Sequence, residues 1–444
     1  MGIDIQPYKN VKVNESVIVL FLTAILVGSF LRISLTAIYP FVVLGLCLFF
    51  KLRMTTTIIS LLLWIGFCTL ISLINGLFWR YKLVSLYYMI PFVIFLFANP
   101  SEYSVRRVDL LKIFFRCLSI IAVVNDFVGY IQVIRYPKSD DSFEGIYSSF
   151  SVSLNGLVIL NAILFFYYFS LNLAQRKTRY LMAAFFFMSS SVMGFFGAGL
   201  VVIIAAFILT FFTPSLKSII KTFFIAAFSL TAVYFLLLYI KPNVLEYNLT
   251  NVKKIASFDI ENGPRKVISF YNYTISYPQN AKDFLFGSGP GTFNSRSAFT
   301  VGSPSYFTGA SFLKSSEQPY YFMNYSYPLW NETNTSQAQY LDGFRNQPFS
   351  SILAFLGEYG IVFFFLLAGF YYKYYTKVSR LYYEAKDILT EVYFRLFKFL
   401  SILLPFLLLI DNFYEYPEMM LLIILCLKLL HIELKKRHLL NGLN

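Results

Sequence analysis

The sequence has few charged residues for its length. Asp, Glu, Lys and Arg make up 14% of the 444 residues, whereas hydrophobic residues make up 57% and the mean hydropathy is +0.63. A soluble protein of this size could not cover its surface with so few charges. The composition therefore excludes a soluble multidomain protein and indicates a polytopic membrane protein, whose surface is largely covered by lipid.

Histidine and cysteine are also scarce. The two histidines, His431 and His438, both lie near the C-terminal end, which excludes a zinc site or a His-based catalytic dyad elsewhere. The four cysteines lie in apolar runs without metal-ligand spacing, and we interpret them as small buried hydrophobic residues. We expect no metal and no cofactor. The apolar run over residues 17–31 is typical of a first membrane span and not of a cleaved signal peptide.

What the sequence does contain is a succession of long apolar runs. Most are roughly 17–21 residues long, which suits a bilayer core of about 30 Å, and only helices satisfy the backbone there. We therefore predict an all-α polytopic integral membrane protein with about 12 transmembrane helices. The predicted spans lie near residues 15–31, 34–50, 57–74, 83–98, 113–133, 151–171, 180–193, 196–213, 219–239, 350–370, 394–411 and 417–432.

The charges between the spans predict the orientation. If both termini are cytoplasmic, Lys and Arg concentrate in the segments that face the cytoplasm. The formal net charge of +14 is then an orientation signal, and nucleic acid is excluded as a partner. The chain divides into residues 1–240 with spans one to nine, a large and partly helical outer loop over residues 241–349, and residues 350–444 with spans ten to twelve.

The long loop is rich in Tyr, Phe, Asn, Ser and Gly, as in "EQPYYFMNYSYPLWNETNTSQAQY". Aromatic faces beside amide and hydroxyl groups suit a carbohydrate surface, because sugar C–H faces stack on rings while hydroxyls form hydrogen bonds. Tyr and Trp are also enriched where a loop lies on the membrane interface. Composition alone leaves both interpretations open.

Three stretches resemble the O-antigen polymerase/ligase superfamily. Residues 262–293, "NGPRKVISFYNYTISYPQNAKDFLFGSGPGTF", resemble its Gly/Arg pair, aromatic helix and "PLxGxGxGxF". Residues 346–369, "NQPFSSILAFLGEYGIVFFFLLAG", resemble its "HNxxLxxLxExGxxG", and residues 144–166 resemble its "GxFxxPNxxG". The order of the three stretches, the twelve spans and the single late loop strengthen this resemblance. It implies a GT-C-like architecture in the bacterial inner membrane, with the large loop in the periplasm.

The departures from this pattern separate the members of the superfamily. Its ligases carry a His at the start of the second stretch, where this chain has Phe349, and the "SR" common between paired spans is replaced near Val192 and Met193. The resemblance therefore implies an O-antigen polymerase (Wzy-type). A ligase that attaches glycan to lipid A core is the alternative within the superfamily. A lipid-linked oligosaccharide flippase is the alternative from another class, although flippases usually have short loops and ionisable residues deep in several spans.

The resemblance implies a glycosyltransferase of lipopolysaccharide or other polysaccharide biosynthesis. Its substrate would be an undecaprenyl-pyrophosphate-linked oligosaccharide held in membrane lipid, with a chain-length regulator protein as a possible partner. The pyrophosphate leaving group must be stabilised as the glycosidic bond breaks. Arginine does this bidentately and is always charged, so a metal is not required.

Three residues are the candidates for catalysis. Arg265 lies in the "GPR" of the first stretch, and Arg345 directly precedes the second. Glu358 lies about two turns into span ten, where an ionisable group is a functional hypothesis by default. We expect Glu358 to act as a general base or as a structural partner of a cation.

A second set of residues is predicted to bind substrate. Arg80 and Lys82 lie in the tight loop "FWRYK" at headgroup depth, where they either bind substrate or anchor the interface. The glycines of "GSGPG" either let backbone amides approach a phosphate or shape a turn. An acidic pair at residues 140–141 could hold a metal but fits an ordinary polar loop better. The complete set of substrate-binding candidates is Arg80, Lys82, Arg135, Asn155, Arg296, Gly289 and Gly291.

Overall fold

A computed structural model describes most of the chain. It covers residues 20, 23–24, 35–101, 110–135, 143–146, 154–194, 196–212, 215, 220, 224, 227, 231, 234–235, 238–239, 242–277, 279–337, 347–384 and 387–441.

Ten long helices form the bundle within these residues, seven before the long loop and three after it. Before the loop they are α1 Leu35–Phe49, α2 Thr56–Ile71, α3 Trp79–Phe97, α4 Leu110–Arg135, α5 Leu154–Gln175, α6 Thr178–Met193 and α7 Gly197–Phe211. The first five helices of the loop segment are α8 Pro242–Ala256, α9 Arg265–Ile275, α10 Ala281–Phe286, α11 Arg296–Gly302 and α12 Glu332–Thr335. After it come α13 Ser351–Glu384, α14 Ile388–Ile410 and α15 Pro417–Asn441.

Shorter elements join these helices. Strands β1 Leu52–Arg53 and β2 Asn99–Pro100 form an antiparallel pair, with Leu52 opposite Pro100. Short segments of 3-10 or π helix lie at Ser72–Asn75, Thr308–Leu313, Phe322–Ser326, Tyr327–Leu329 and Phe413–Glu415.

Six described helices are long and apolar enough to cross a membrane, which confirms the prediction of an all-α membrane protein. They are Thr56–Asn75, Trp79–Phe97, Leu110–Arg135, Asn155–Gln175, Ser351–Tyr383 and Ile388–Ile410, and each overlaps one of the predicted spans. The predicted spans 34–50 and 196–213 correspond to shorter apolar helices of 15 residues. Those at 180–193 and 417–432 are helical but are not among the six, and those at 15–31 and 219–239 lie mostly outside the described residues.

Two predicted boundaries need correction. The segment between the predicted spans at 350–370 and 394–411 is largely helical, because α13 continues to Glu384 and α14 already begins at Ile388. Arg80 and Lys82 lie in the first turn of α3 and not in a loop. In both places the helix extends past the apolar run, since helical backbone bonds form equally well beyond the hydrocarbon layer.

Helix α15 forms the centre of the bundle. Every residue over Met419–Leu434 is buried, and the helix packs against α1, α3, α4, α5, α13 and α14. A helix that is apolar on all sides is typical of such a position. Lys428 in its middle donates to the carbonyls of Leu96 (2.7 Å) and Ala98 (2.6 Å), which end α3. The amine thereby satisfies carbonyls that a helix end leaves without partners.

Candidate functional site

A break in α13 prepares the surface on which the loop docks. Gly360 lies inside this helix with φ 82° and ψ 165°, a conformation that glycine adopts readily and other residues rarely do. The break releases the carbonyls before it from the helical ladder. Gly357 O accepts from Ser288 N (2.8 Å), Glu358 O accepts from Gly289 N (3.0 Å), and Tyr359 O accepts from Cys68 Sγ (3.3 Å).

The carboxylate of Glu358 fixes the glycine-rich segment that follows α10. Its Oε2 accepts from Gly291 N (2.6 Å), and its Oε1 accepts from Phe293 N and Ser295 N (both 3.2 Å). Glu358 is fully buried. Three backbone N–H groups that converge on one carboxyl group hold it and the segment together. Through these contacts Glu358 anchors the loop to α13. Its role as a general base stays a prediction.

The glycines of this segment are required by shape. Gly289 and Gly291 have φ of 113° and 73°, and a Cβ on either would lie 2.4 Å from Ser72 Cβ or from Tyr81 O, respectively. Their amides donate to Glu358, so both donors are already engaged. This geometry fits the interpretation in which the glycines of "GSGPG" shape a turn. The first two stretches that carry the family resemblance therefore contact each other directly, across the break at Gly360.

Arg296 begins α11 and is the centre of a second cluster. Its Nη2 donates to Asp411 Oδ2 (3.1 Å) and Gln347 Oε1 (3.0 Å), and its Nη1 donates to Tyr306 Oη (2.9 Å). The guanidinium carbon lies 3.7 Å from the centre of the Tyr416 ring. Arg296 Nε is buried and has no hydrogen-bond partner among the described residues. One N–H donor of a well-oriented guanidinium thus remains unused by the protein.

Lys266 and two carboxyl groups complete this cluster, which we call the arginine junction (Arg296, Lys266, Asp411, Glu415, Tyr306 and Tyr416). Lys266 Nζ donates to Ile410 O, the residue before Asp411. Burial lowers the pKa of Lys266; the Asp411 charge opposes this shift and the Arg296 charge adds to it. Two cations and a carboxylate therefore share one small volume where the loop meets the end of α14.

Glu415 is the second carboxyl group of the junction. It accepts from Asn412 Nδ2 (2.6 Å), Ser297 N (3.2 Å) and Tyr414 Oη (3.1 Å). Burial raises the pKa of Glu415 to about 7, although these hydrogen bonds oppose the shift. The Oδ1 atom of Asn412 is buried without a partner among the described residues. A proton can therefore be held or released near neutral pH beside unsatisfied polar atoms.

Arg265 lies at the start of α9, directly before Lys266. It is fully buried, and Ser269 and Tyr273 follow it on the same helical face. Ser269 Oγ and Tyr273 Oη are buried without hydrogen-bond partners in the described part of the chain. The helix dipole disfavours a cation at a helix N-terminus. The buried Ser269 and Tyr273 hydroxyl groups on this face are suited to a polar ligand.

The other predicted site residues either lie apart from the arginine junction or fall outside the described residues. Arg80 Nη1 donates to Lys314 O in the long loop, and thereby links α3 to that loop. Lys82 Nζ donates to Gly76 O (2.9 Å) and Leu77 O (2.6 Å), and thereby supports the turn before α3. Arg135 is exposed at the end of α4, and Asn155 is half-buried in the first turn of α5. Arg345 and the acidic pair at 140–141 lie outside the described residues.

Five residues of the junction are not among the predicted site residues: Lys266, Tyr306, Asp411, Glu415 and Tyr416. The sequence signal for Asp411, Glu415 and Tyr416 is the short acidic segment "DNFYEYPE" after α14, which begins 115 positions after Arg296. Within the described residues, no group of three or more His, Cys, Asp or Glu side chains could hold a metal ion.

Comparisons with protein-family models, with curated proteins and with solved structures find no match to this chain.

Proposed function

We propose that this protein is a bacterial polysaccharide polymerase of the O-antigen polymerase type. It transfers a growing glycan from an undecaprenyl-pyrophosphate donor onto a new lipid-linked repeat unit at the periplasmic face. The observation that carries the proposal is the arginine junction. A buried guanidinium with an unused Nε–H lies beside Lys266, at the end of a membrane-spanning helix.

The chemistry of the reaction needs such a cluster. The bond between the donor sugar C1 and the pyrophosphate oxygen breaks, and a new bond forms between C1 and an acceptor hydroxyl oxygen. The acceptor proton leaves, and undecaprenyl pyrophosphate is released with its negative charge. The buried Arg296 and Arg265 and the half-buried Lys266 are the cations that would stabilise this charge in a volume with little water, where electrostatic stabilisation is strongest.

The docked loop supports the same proposal. Glu358 and the carbonyls freed by Gly360 hold residues 287–295 against the bundle, and α11 begins at the next residue, Arg296. The anchor thereby positions the guanidinium. In this proposal Glu358 is a positioning residue for Arg296, while Glu415 or Asp411 accepts the proton of the acceptor hydroxyl.

Purified protein incubated with a synthetic undecaprenyl-pyrophosphate repeat unit tests the proposal. We expect a ladder of elongated lipid-linked products, measured by gel or mass spectrometry. A ligase would elongate nothing and would transfer one chain to added lipid A core. A flippase would move the substrate across vesicles without changing its size. Either of these results, in place of a ladder, would overturn the proposal.

A further inference from the structure

A buried carboxyl group in the middle of the bundle has no part in the proposed reaction. Asp126 is fully buried in α4, nine residues before the helix ends at Arg135. At 1.5 Å per residue this is about 13 Å along the helix axis. An ionisable group at such a depth is costly unless it is neutralised or paired, so its state requires an explanation.

The hydrogen bonds of Asp126 satisfy only one of its oxygens. Oδ1 accepts from Asn161 Nδ2 (3.2 Å) and from Asn125 Nδ2 (3.4 Å). Oδ2 has no hydrogen-bond partner among the described residues, and the same is true of Asn161 Oδ1. Both side chains are fully buried. Two neighbouring side chains, on α4 and α5, thus each present an acceptor oxygen with no donor.

No cation in the described part of the chain forms an ion pair with Asp126. Within the described residues, none of the titratable side chains on the surrounding elements bonds to it; these include Arg116, Tyr130, Glu144, Tyr168, Tyr180 and Lys428. An ionised carboxylate here would be a buried charge that accepts two long amide bonds and has no described cation bonded to it. Such an uncompensated charge costs several kcal/mol.

We propose that Asp126 is a proton-binding site: it is held as the neutral carboxylic acid, and its O–H donates from Oδ2 to Asn161 Oδ1. One proton removes the charge and satisfies both acceptor oxygens. Together with the bond from Asn161 Nδ2 to Asp126 Oδ1, it completes a two-bond acid–amide pair between α4 and α5. A metal cation needs more oxygen ligands than the two acceptors left open here.

The pair lies beside a segment of chain that folds back onto α4. Asn125 Oδ1 accepts from Ile146 N (2.7 Å), and Gln132 Oε1 accepts from Gly145 N (2.6 Å). Gly145 has φ of 69° and leaves no room for a Cβ, which would lie 2.3 Å from Asn125 Oδ1. Asn125 thus bonds both Asp126 and the 143–146 segment. Loss of the proton would place a charge directly beneath that contact.

Infrared difference spectroscopy of the full-length protein tests this inference directly. We expect wild type at neutral pH to show a hydrogen-bonded carboxylic-acid C=O band that disappears in Asp126→Asn. Glu144→Gln, a matched change at a half-buried carboxylate of the 143–146 segment, should leave the band unchanged. Asp126→Asn should melt no lower than wild type, because its amide supplies the same donor to Asn161.

If Asp126→Asn does not fold, Asn161→Leu provides the test. The acid band should remain and shift to higher frequency, because the acceptor of its O–H is lost. Three results would overturn the proposal: no acid band lost in Asp126→Asn, an unshifted band in Asn161→Leu, or stabilisation of wild type by Na⁺ that Asp126→Asn abolishes. The last would show a metal-cation site. None of these results depends on glycosyltransferase activity.

Discussion

Replacement of Glu358 by Ala gives the sharpest test of how the loop is held. The carboxylate accepts from three buried amides, those of Gly291, Phe293 and Ser295. Each buried donor left without a partner costs about 1–3 kcal/mol. Three of them together destabilise the docked loop by about 3 kcal/mol or more. Since 1.4 kcal/mol is a factor of ten, undocking should become at least about a hundredfold more frequent.

Hydrogen–deuterium exchange of these three amides measures that change. We expect their exchange to accelerate about a hundredfold in Glu358→Ala, while exposed Glu261→Ala on the same loop leaves it unchanged. Glu358→Gln separates the two roles considered for this residue. A full loss of polymerisation with wild-type exchange and melting would refute the anchoring argument and favour a general base.

Three further predictions concern the reaction and its pH dependence. Arg265→Ala and Arg345→Ala should each leave cells with a single repeat unit on the acceptor lipid; wild-type ladders at normal expression would contradict the assignment. Activity in vitro should persist with a chelator, and a loss restored by Mg²⁺ or Mn²⁺ would instead favour the acidic pair at 140–141. The pKa of Glu415 rises from 4.5 unfolded to about 7 folded, so the folded state binds more protons between these values. Stability should therefore fall as pH rises from about 4.5 to about 7, and Glu415→Gln should flatten the slope of melting temperature against pH.

The membrane class and six spans could be predicted because burial in lipid imposes a local pattern. A long apolar run such as that of α14 must be helical wherever it lies in hydrocarbon. The ends of helices follow no such rule. Lys82 lies inside the first turn of α3, where it donates to carbonyls of the preceding turn. Its charge therefore did not mark the boundary of the helix.

The site was harder to predict because its contacts join distant parts of the chain. The depth of Glu358 in its span marked it as unusual, but its partners lie more than 60 residues earlier. Gly360 in "GEYG" gave no sign that its φ would break α13. In the sequence Arg296 is one of several candidate cations, and only its contacts with Asp411 and Tyr416 in the structure distinguish it from the others. The sequence does not distinguish Lys266 from Arg265, because spacing alone does not show which of two adjacent side chains contacts the end of α14.

The most direct test of the account compares the elongation rate of purified wild type with that of Arg296→Lys on the same synthetic lipid-pyrophosphate repeat unit. Lysine keeps the charge but loses the planar fork and the Nε–H of arginine. We predict a product ladder from wild type and an elongation rate at least about a hundredfold lower in the variant, measured at a temperature where both proteins are folded. Equal ladders from both proteins, or no elongation by wild type, would contradict the account.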